Sequence, residues 1–141
     1  MKVVTTDEMR EIERRAETEY GLTSPMLMEH AGRSIAEILR ERLGGDVRGK
    51  RVLTLVGPGN NGGDGRVMTR YLAKWGAEMT LYVWKERLLE SNGQSRPIGE
   101  DLAALAAAIQ EADVVADAFL GTGHSRPLDP SMGAAFALVE Q

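Results

Sequence analysis

The sequence contains no cysteine. That excludes a thiolate nucleophile, a thiol-based zinc site and a disulfide framework. There is no basic excess either: 17 lysines and arginines stand against 21 acidic residues, for a net charge of −4. Such a balance argues against a nucleic-acid footprint, because no basic stripe could dominate it. No apolar run approaches the ~20 residues of a membrane span, and the start, Met1-Lys2-Val3-Val4-Thr5-Thr6-Asp7-Glu8, lacks a secretory apolar core. The cytoplasm is the default compartment. Aromatic residues make up only 5%, and Tyr71, Trp75, Tyr82 and Trp84 fall on core-facing or strand positions, where packing accounts for them better than base stacking. No Ser-His-Asp arrangement, H-E-x-x-H metal motif or paired-carboxylate motif can be assembled. What is there is 141 residues, the length of one domain on a prior of roughly 100–200 residues each. A domain of about this size buries about 68–70% of its unfolded surface and needs no staple to fold.

Local signals order the chain. Thr5-Thr6-Asp7-Glu8 reads as a capping box, and Met9, Ile12, Ala16 and Tyr20 then recur at helical spacing until Gly21 ends the helix. The charged residues between them, Glu8, Glu11, Glu13, Glu17 and Glu19 with Arg10, Arg14 and Arg15, read as a solvated face laced with local ion pairs. Ser24-Pro25 opens a second helix whose buried stripe is expected at Leu27, Ala31, Ile35, Ile38, Leu39 and Leu43, with Gly44-Gly45 as its stop. This helix pair could also form a dimer surface. Val52-Leu53-Thr54-Leu55-Val56 is the near-continuous run of a strand covered on both faces. A glycine-rich turn, a helix carrying Val67, Met68, Tyr71, Leu72 and Trp75, and a strand over Met79–Trp84 complete a βαβ unit, expected to be right-handed. Lys85 to Gly99 is polar, with Asn92-Gly93 as a turn signal and no clear element. Leu102, Leu105, Ala106 and Ile109 mark a helix, Asp113–Phe119 a third strand, and Asp129-Pro130 a cap for a last helix with Met132, Ala135, Phe136 and Val139. An α/β pattern would next need a strand after Gln141, so the chain reads as the first part of a larger α/β domain or one half of a two-chain assembly.

Two loops carry the chemistry-bearing residues. Gly57-Pro58-Gly59-Asn60-Asn61-Gly62 satisfies G-x-G-x-x-G between a strand and a helix, where glycines let a ligand approach and free helix amides favour anionic oxygen. A tight turn without ligand would need the same glycines. A P-loop is excluded, since no Lys-Ser or Lys-Thr follows. A nicotinamide dehydrogenase would use Glu86 as its ribose acid, yet Asn60, Asn61 and Asp64 put oxygens where a pyrophosphate prefers donors only. Asp117 lies on the same rim, and one carboxylate among neutral oxygens suits a weakly charged cation such as potassium better than magnesium or zinc. Alternatively, Asp117 simply accepts amide hydrogen bonds from the following loop. That loop, Gly121-Thr122-Gly123-His124-Ser125-Arg126-Pro127, has the composition of a phosphate clamp with Arg126 as bidentate partner. His124 could donate to phosphate, act in proton transfer or simply be solvated, and His30 beside Glu29 reads as a surface or packing residue.

The pair Gly57-Pro58-Gly59-Asn60-Asn61-Gly62-Gly63-Asp64-Gly65 and Asp117-Ala118-Phe119-Leu120-Gly121-Thr122-Gly123 resembles the NAD(P)H-hydrate epimerase family, also called the YjeF N-terminal domain. Thr5-x-x-Glu8-Met9 and Met28-Glu29-His30-Ala31-Gly32 resemble the family's entry helices. The resemblance implies a three-layer α/β/α Rossmann-like sandwich with a mainly parallel sheet, preceded by two N-terminal helices, spanning residues 1–141 as a single but incomplete domain. It also implies interconversion of the R and S epimers of hydrated NADH and NADPH, an ATP- or ADP-dependent NAD(P)H-hydrate dehydratase as pathway partner or fused domain, and a homodimer. By resemblance, Asn60, Asn61, Gly62, Gly63 and Asp64 contact the hydrated dinucleotide. Gly121, Thr122, Gly123, His124, Ser125, Arg126 and Pro127 hold its phosphates, and Asn61 and Asp117 ligate potassium. The family's next strand ends in an Asp-x-Pro-Ser-Gly motif with a substrate aspartate and a further potassium ligand, expected beyond Gln141, so the acid/base group stays unassigned within the chain. A site without it should lose on the order of 10²–10⁴ in rate. The link from Trp84 to Asp113 is short for the family, so one strand is expected to be missing or reduced to Gln94–Ile98. The rival class is a non-catalytic nucleotide-binding, dimerisation or scaffold module on the same fold.

Overall fold

The computed structural model describes residues 3–85, 95–121 and 127–140. Its elements are α1 (Thr6–Tyr20), α2 (Ser24–Arg42), β1 (Arg51–Val56), α3 (Asn60–Lys74), β2 (Glu78–Val83), β3 (Ser95–Ile98), α4 (Leu102–Glu111), β4 (Val114–Ala118) and α5 (Pro130–Val139). All strand pairs are parallel, and the sheet order is β3-β2-β1-β4. The polar stretch after Trp84 does contribute a strand, β3, with Pro97 inside it. Proline is tolerated there because β3 is an edge strand paired only with β2. The turn expected at Asn92-Gly93 lies outside the described residues.

Alternation along β1 sorts the core into two layers. Val52 and Val56 join Met68 and Leu72 of α3, Ala36 of α2, and Met79, Leu81 and Val83 of β2. On the opposite face Leu53 and Leu55 join Leu105, Ala108, Met132 and Ala135 of α4 and α5. The α/β/α sandwich follows from that division. Thr54, wholly buried on the α3 side, is satisfied by the Thr69 hydroxyl at 3.0 Å.

The caps form where the residue types demand them. The Thr5 hydroxyl accepts from the Glu8 N–H while Glu8 accepts from the Thr5 N–H at 2.7 Å, and Gly21 closes α1 at φ 67°, a left-handed geometry. Thr23, rather than Ser24, takes the N-cap position of α2, with Pro25 in its first turn. Asp129 accepts from the Ser131 N–H and hydroxyl to start α5, and it also pairs with Lys85 Nζ at the end of β2. These donors hold its carboxyl at about 2. Lys85 itself stands at φ 51°, and its N–H is tied to Glu100 at 3.0 Å.

The buried stripe of α2 differs from the expected one. Ile35 and Ile38 are exposed, and Gly32 and Ala36 are buried instead. The cause is the partner helix: α3 approaches so closely at Gly32 that a Cβ there would stand 2.5 Å from the Val67 Cβ and 2.7 Å from the Asp64 carbonyl. Only a stripe through the glycine lets the backbones meet, and Ile35 and Ile38 rotate outwards. Glu29 fixes the crossing, accepting from the Tyr71 hydroxyl at 2.7 Å and pairing with Arg70. Gly32→Ala should therefore lower stability by about 1–3 kcal/mol, the usual cost of overpacking, measured as a reduced unfolding free energy in urea.

Candidate functional site

The strand order reverses at β1. The chain runs outwards through β2 to β3, then returns to place β4 on the other side of β1. In parallel sheets such a switch point opens a crevice at the carboxyl ends of the two strands, because their following loops leave in opposite directions. Here those loops are the Gly57 turn and the segment after Ala118. They are stitched together at backbone level: the Gly57 N–H donates to the Ala118 carbonyl at 3.1 Å. A Cβ on Gly57 would overlap the Phe119 carbonyl, and one on Gly62 would overlap the Gly57 carbonyl. These two glycines are thus demanded by packing. Gly59 is different, for a Cβ there would meet nothing within 4 Å. It is the N-cap of α3, which has no side-chain cap and no acidic residue in its first turn, so the first amides of the helix face outwards without a protein acceptor from the cap residue.

Asn61 and Asp117 converge on one turn. Asn61 Nδ2 donates to the Leu120 carbonyl at 3.0 Å, and Asp117 Oδ1 accepts from the Phe119 N–H at 2.9 Å. Each keeps an oxygen, Asn61 Oδ1 and Asp117 Oδ2, without a hydrogen-bond partner among the described residues. Asp117 therefore does accept an amide of its own loop, as one of its two readings requires, and still has capacity for a cation. Among the described residues no group of three or more His, Asp or Glu side chains gathers as a metal cage. Gly121 sits beside Asn61, and a Cβ on it would lie 3.4 Å from the Asn61 Cβ. Gly63 faces the Met28 side chain, which stands where its own would be. Pro127 is exposed. Thr122, Gly123, His124, Ser125 and Arg126 lie outside the described residues, as does Glu86. His30 is exposed on α2, away from any ligand-like grouping.

Asp64, half-buried on α3, has its carboxyl raised above the ordinary value, first by burial and then by the negative charge of Glu13. The two belong to one cleft of about 330 Å³. Leu27 and Met28 of α2 contribute its apolar side, Asn60 and Asp64 close it at the glycine turn, and Arg10, Glu13, Arg14 and Glu17 of α1 line it opposite. Periodicity assigns those α1 residues to a solvated face. Their ion pairs do form, Arg10 with Asp7, Arg14 with Glu11 and Arg15 with Glu19, and these residues stay exposed while lining one side of the cleft. The spacing of positions 10, 13, 14 and 17 is as helical as that of the apolar set, and it is the signal in the sequence for this wall. A second cavity, of about 260 Å³, opens at the amino ends of the strands beside Arg51, Glu78 and Arg96 and has no part in this rim.

Comparison with known proteins bears on the same residues. The family described as YjeF-related protein N-terminus matches residues 24–141. The NAD(P)H-hydrate epimerase of Elusimicrobium minutum is 36% identical over 137 residues, covering 87% of this chain and 62% of the relative. That of Rhodobacter capsulatus is 38% identical over 151 residues, covering 98% of this chain and 70% of the relative. The bifunctional NAD(P)H-hydrate repair enzyme Nnr of Moorella thermoacetica is 35% identical across 99% of this chain, which spans 28% of that relative. The crystal structure of yeast ynu0, YNL200c, is similar with a TM-score of 0.83 and 25% identity, over 99% of this chain and 65% of that one.

Two outcomes test this geometry. Gly62→Ala should destabilise by about 1–3 kcal/mol or more through backbone overlap, whereas Gly59→Ala should cost no more than the ~1 kcal/mol of a weakened cap, both read from urea unfolding. For Asp64, a carboxyl raised in the folded state contributes most below its ordinary 3.8, and that contribution is lost as pH rises through the raised value. Asp64→Asn should therefore unfold at a higher midpoint than the parent at pH 7, with the difference vanishing below pH 3.8.

Proposed function

This chain belongs to the family of YjeF-related protein N-termini, and from that membership we propose that it is an NAD(P)H-hydrate epimerase, interconverting the R and S epimers of hydrated NADH and NADPH. The relatives named for that activity support the reading. The observation that carries it is the stitching of the Gly57 turn to the end of β4, which brings the Asn60–Asp64 and Asp117–Gly121 segments to a single rim.

In this reading the diphosphate of the substrate lies against the start of α3. Gly59 leaves room for it, and the first-turn amides with the helix dipole favour its oxygens. Asn60, Asn61, Gly62, Gly63 and Asp64 contact the dinucleotide, and Gly121, Thr122, Gly123, His124, Ser125, Arg126 and Pro127 hold its phosphates from the other loop. Asn61 Oδ1 and Asp117 Oδ2 would hold a potassium ion, since one carboxylate and one neutral amide oxygen suit a weakly charged cation. When bound, that ion supplies fixed positive charge beside the diphosphate. Epimerisation requires the ring hydroxyl to leave and return, so a proton must be available at the hydroxyl oxygen. Asp64, among the described residues, is a carboxyl that its surroundings hold towards the protonated form.

The partner in this reaction sequence is an ATP- or ADP-dependent NAD(P)H-hydrate dehydratase, a reading supported by relatives that are bifunctional repair enzymes. No helix among the described residues is long and apolar enough to cross a membrane. A homodimer would cover the exposed Met9, Ile12 and Tyr20 of α1.

The test is a coupled assay. An epimeric mixture of hydrated NADH is incubated with an S-specific dehydratase and its nucleotide, with and without this chain, and the return of reduced-nicotinamide absorbance is followed. Recovery of the R fraction faster than its spontaneous epimerisation is expected, with a further increase in potassium over sodium that Asp117→Asn abolishes. No acceleration by the folded protein would refute the activity, and potassium stimulation surviving in the Asp117 variant would refute the cation assignment.

A further inference from the structure

α1 is not held by hydrophobic packing. Met9, Ile12 and Tyr20 are 44%, 51% and 74% exposed, and no residue of the helix is buried. Its charged residues line the cleft against α2 and α3. The matched family region starts at residue 24, after this helix.

Building on the epimerase reading, we propose that the cleft between α1 and α2 is the subsite for the hydrated nicotinamide ring, with Glu13 and Arg14 of α1 contacting its carboxamide. A dinucleotide anchored by its diphosphate at the Gly59 turn must send one nucleoside along the rim past Asn60 and Asp64, which form the near end of the cleft. The volume of about 330 Å³ is at the lower end of small-ligand pockets, enough for one nucleoside and not for the whole dinucleotide. The chemistry separates the two ends of the substrate. The hydrated nicotinamide ring is neutral and no longer aromatic, and it carries a carboxamide that both donates and accepts, together with a hydroxyl. Leu27 and Met28 offer such a ring an apolar side, a carboxylate can accept from its amide, and a guanidinium can donate to its carbonyl. Adenine gains most from an aromatic plane to stack on, and none of the described residues lining the cleft is aromatic. Arg14 is oriented in advance, because Glu11 takes its Nε and Nη2 at 2.8 and 2.6 Å. Glu13 is close enough to Asp64 for its charge to act on the Asp64 carboxyl, which puts α1 within electrostatic reach of the glycine turn.

The experiment compares Glu13→Ala and Arg14→Ala with the parent chain against two ligands: hydrated NADH, and ADP-ribose, which keeps the diphosphate and adenosine but has no nicotinamide ring. Affinities are measured by calorimetry and KM in the coupled assay. Both side chains are exposed, so circular dichroism should show folded variants. Each variant is expected to bind hydrated NADH about 10-fold or more weakly, the loss of a hydrogen bond to a charged group, with ADP-ribose affinity unchanged. Equal losses for both ligands would put the adenosine end in the cleft and overturn the assignment. No loss for either would place α1 outside the site and overturn it too. A parent chain that binds ADP-ribose but neither binds nor epimerises hydrated NADH would refute the epimerase reading itself, and the ring subsite with it.

Discussion

The meeting of the Gly57 turn with the carbonyl of Phe119 is the contact on which the rest of the molecule depends. Two backbones touch there with no side chain between them. The Gly57 N–H to Ala118 carbonyl bond carries the β1–β4 pairing one step past the strands, so the two loops diverge from a fixed point. Asn61 then reaches Leu120 and Asp117 reaches Phe119. Asn61 and Asp117 are thereby each held by a backbone group of the same turn, which sets the directions of Asn61 Oδ1 and Asp117 Oδ2. A side chain at position 57 or 62 would part the loops and with them every distance at the rim.

The second layer is organised by the same device at longer range. Gly32 lets α2 lie on the backbone of α3, and Glu29 ties α2 to Tyr71 and Arg70. Met28, four residues earlier on that face, fills the space above Gly63. A run of five residues, Met28-Glu29-His30-Ala31-Gly32, thus fixes the helix that walls the cleft, and only His30 points to solvent. Burial of α2 against α3 supports the site from behind, with Met28 at the edge of the cleft.

α1 depends on neither contact. Its order comes from a capping box, a glycine stop and exposed ion pairs, which are local terms of small worth in water. Elements without buried apolar contacts open first. The α2–α3 layer, by contrast, cannot move without breaking its close helix contact. Asp64, whose carboxyl is raised by burial and by Glu13, lies at the junction of the two regimes.

Local chemistry determined what could be read from the sequence alone: the Thr5–Glu8 box, the Gly21 stop, the Asp129 cap, the doubly covered β1 and the two glycine loops. Each depends on residues within a few positions of one another, so residue type and spacing suffice. The face of α2 that is buried, the place of the Pro97 strand at the sheet edge and the cleft that Glu13 and Arg14 line were decided only by the tertiary structure. The reason is that a helix with two helically spaced stripes has no preferred side until a partner arrives, and the partner here is a backbone more than thirty residues away that only a glycine can meet. Periodicity states that a face exists; the closest approach of a distant chain segment selects which one is used.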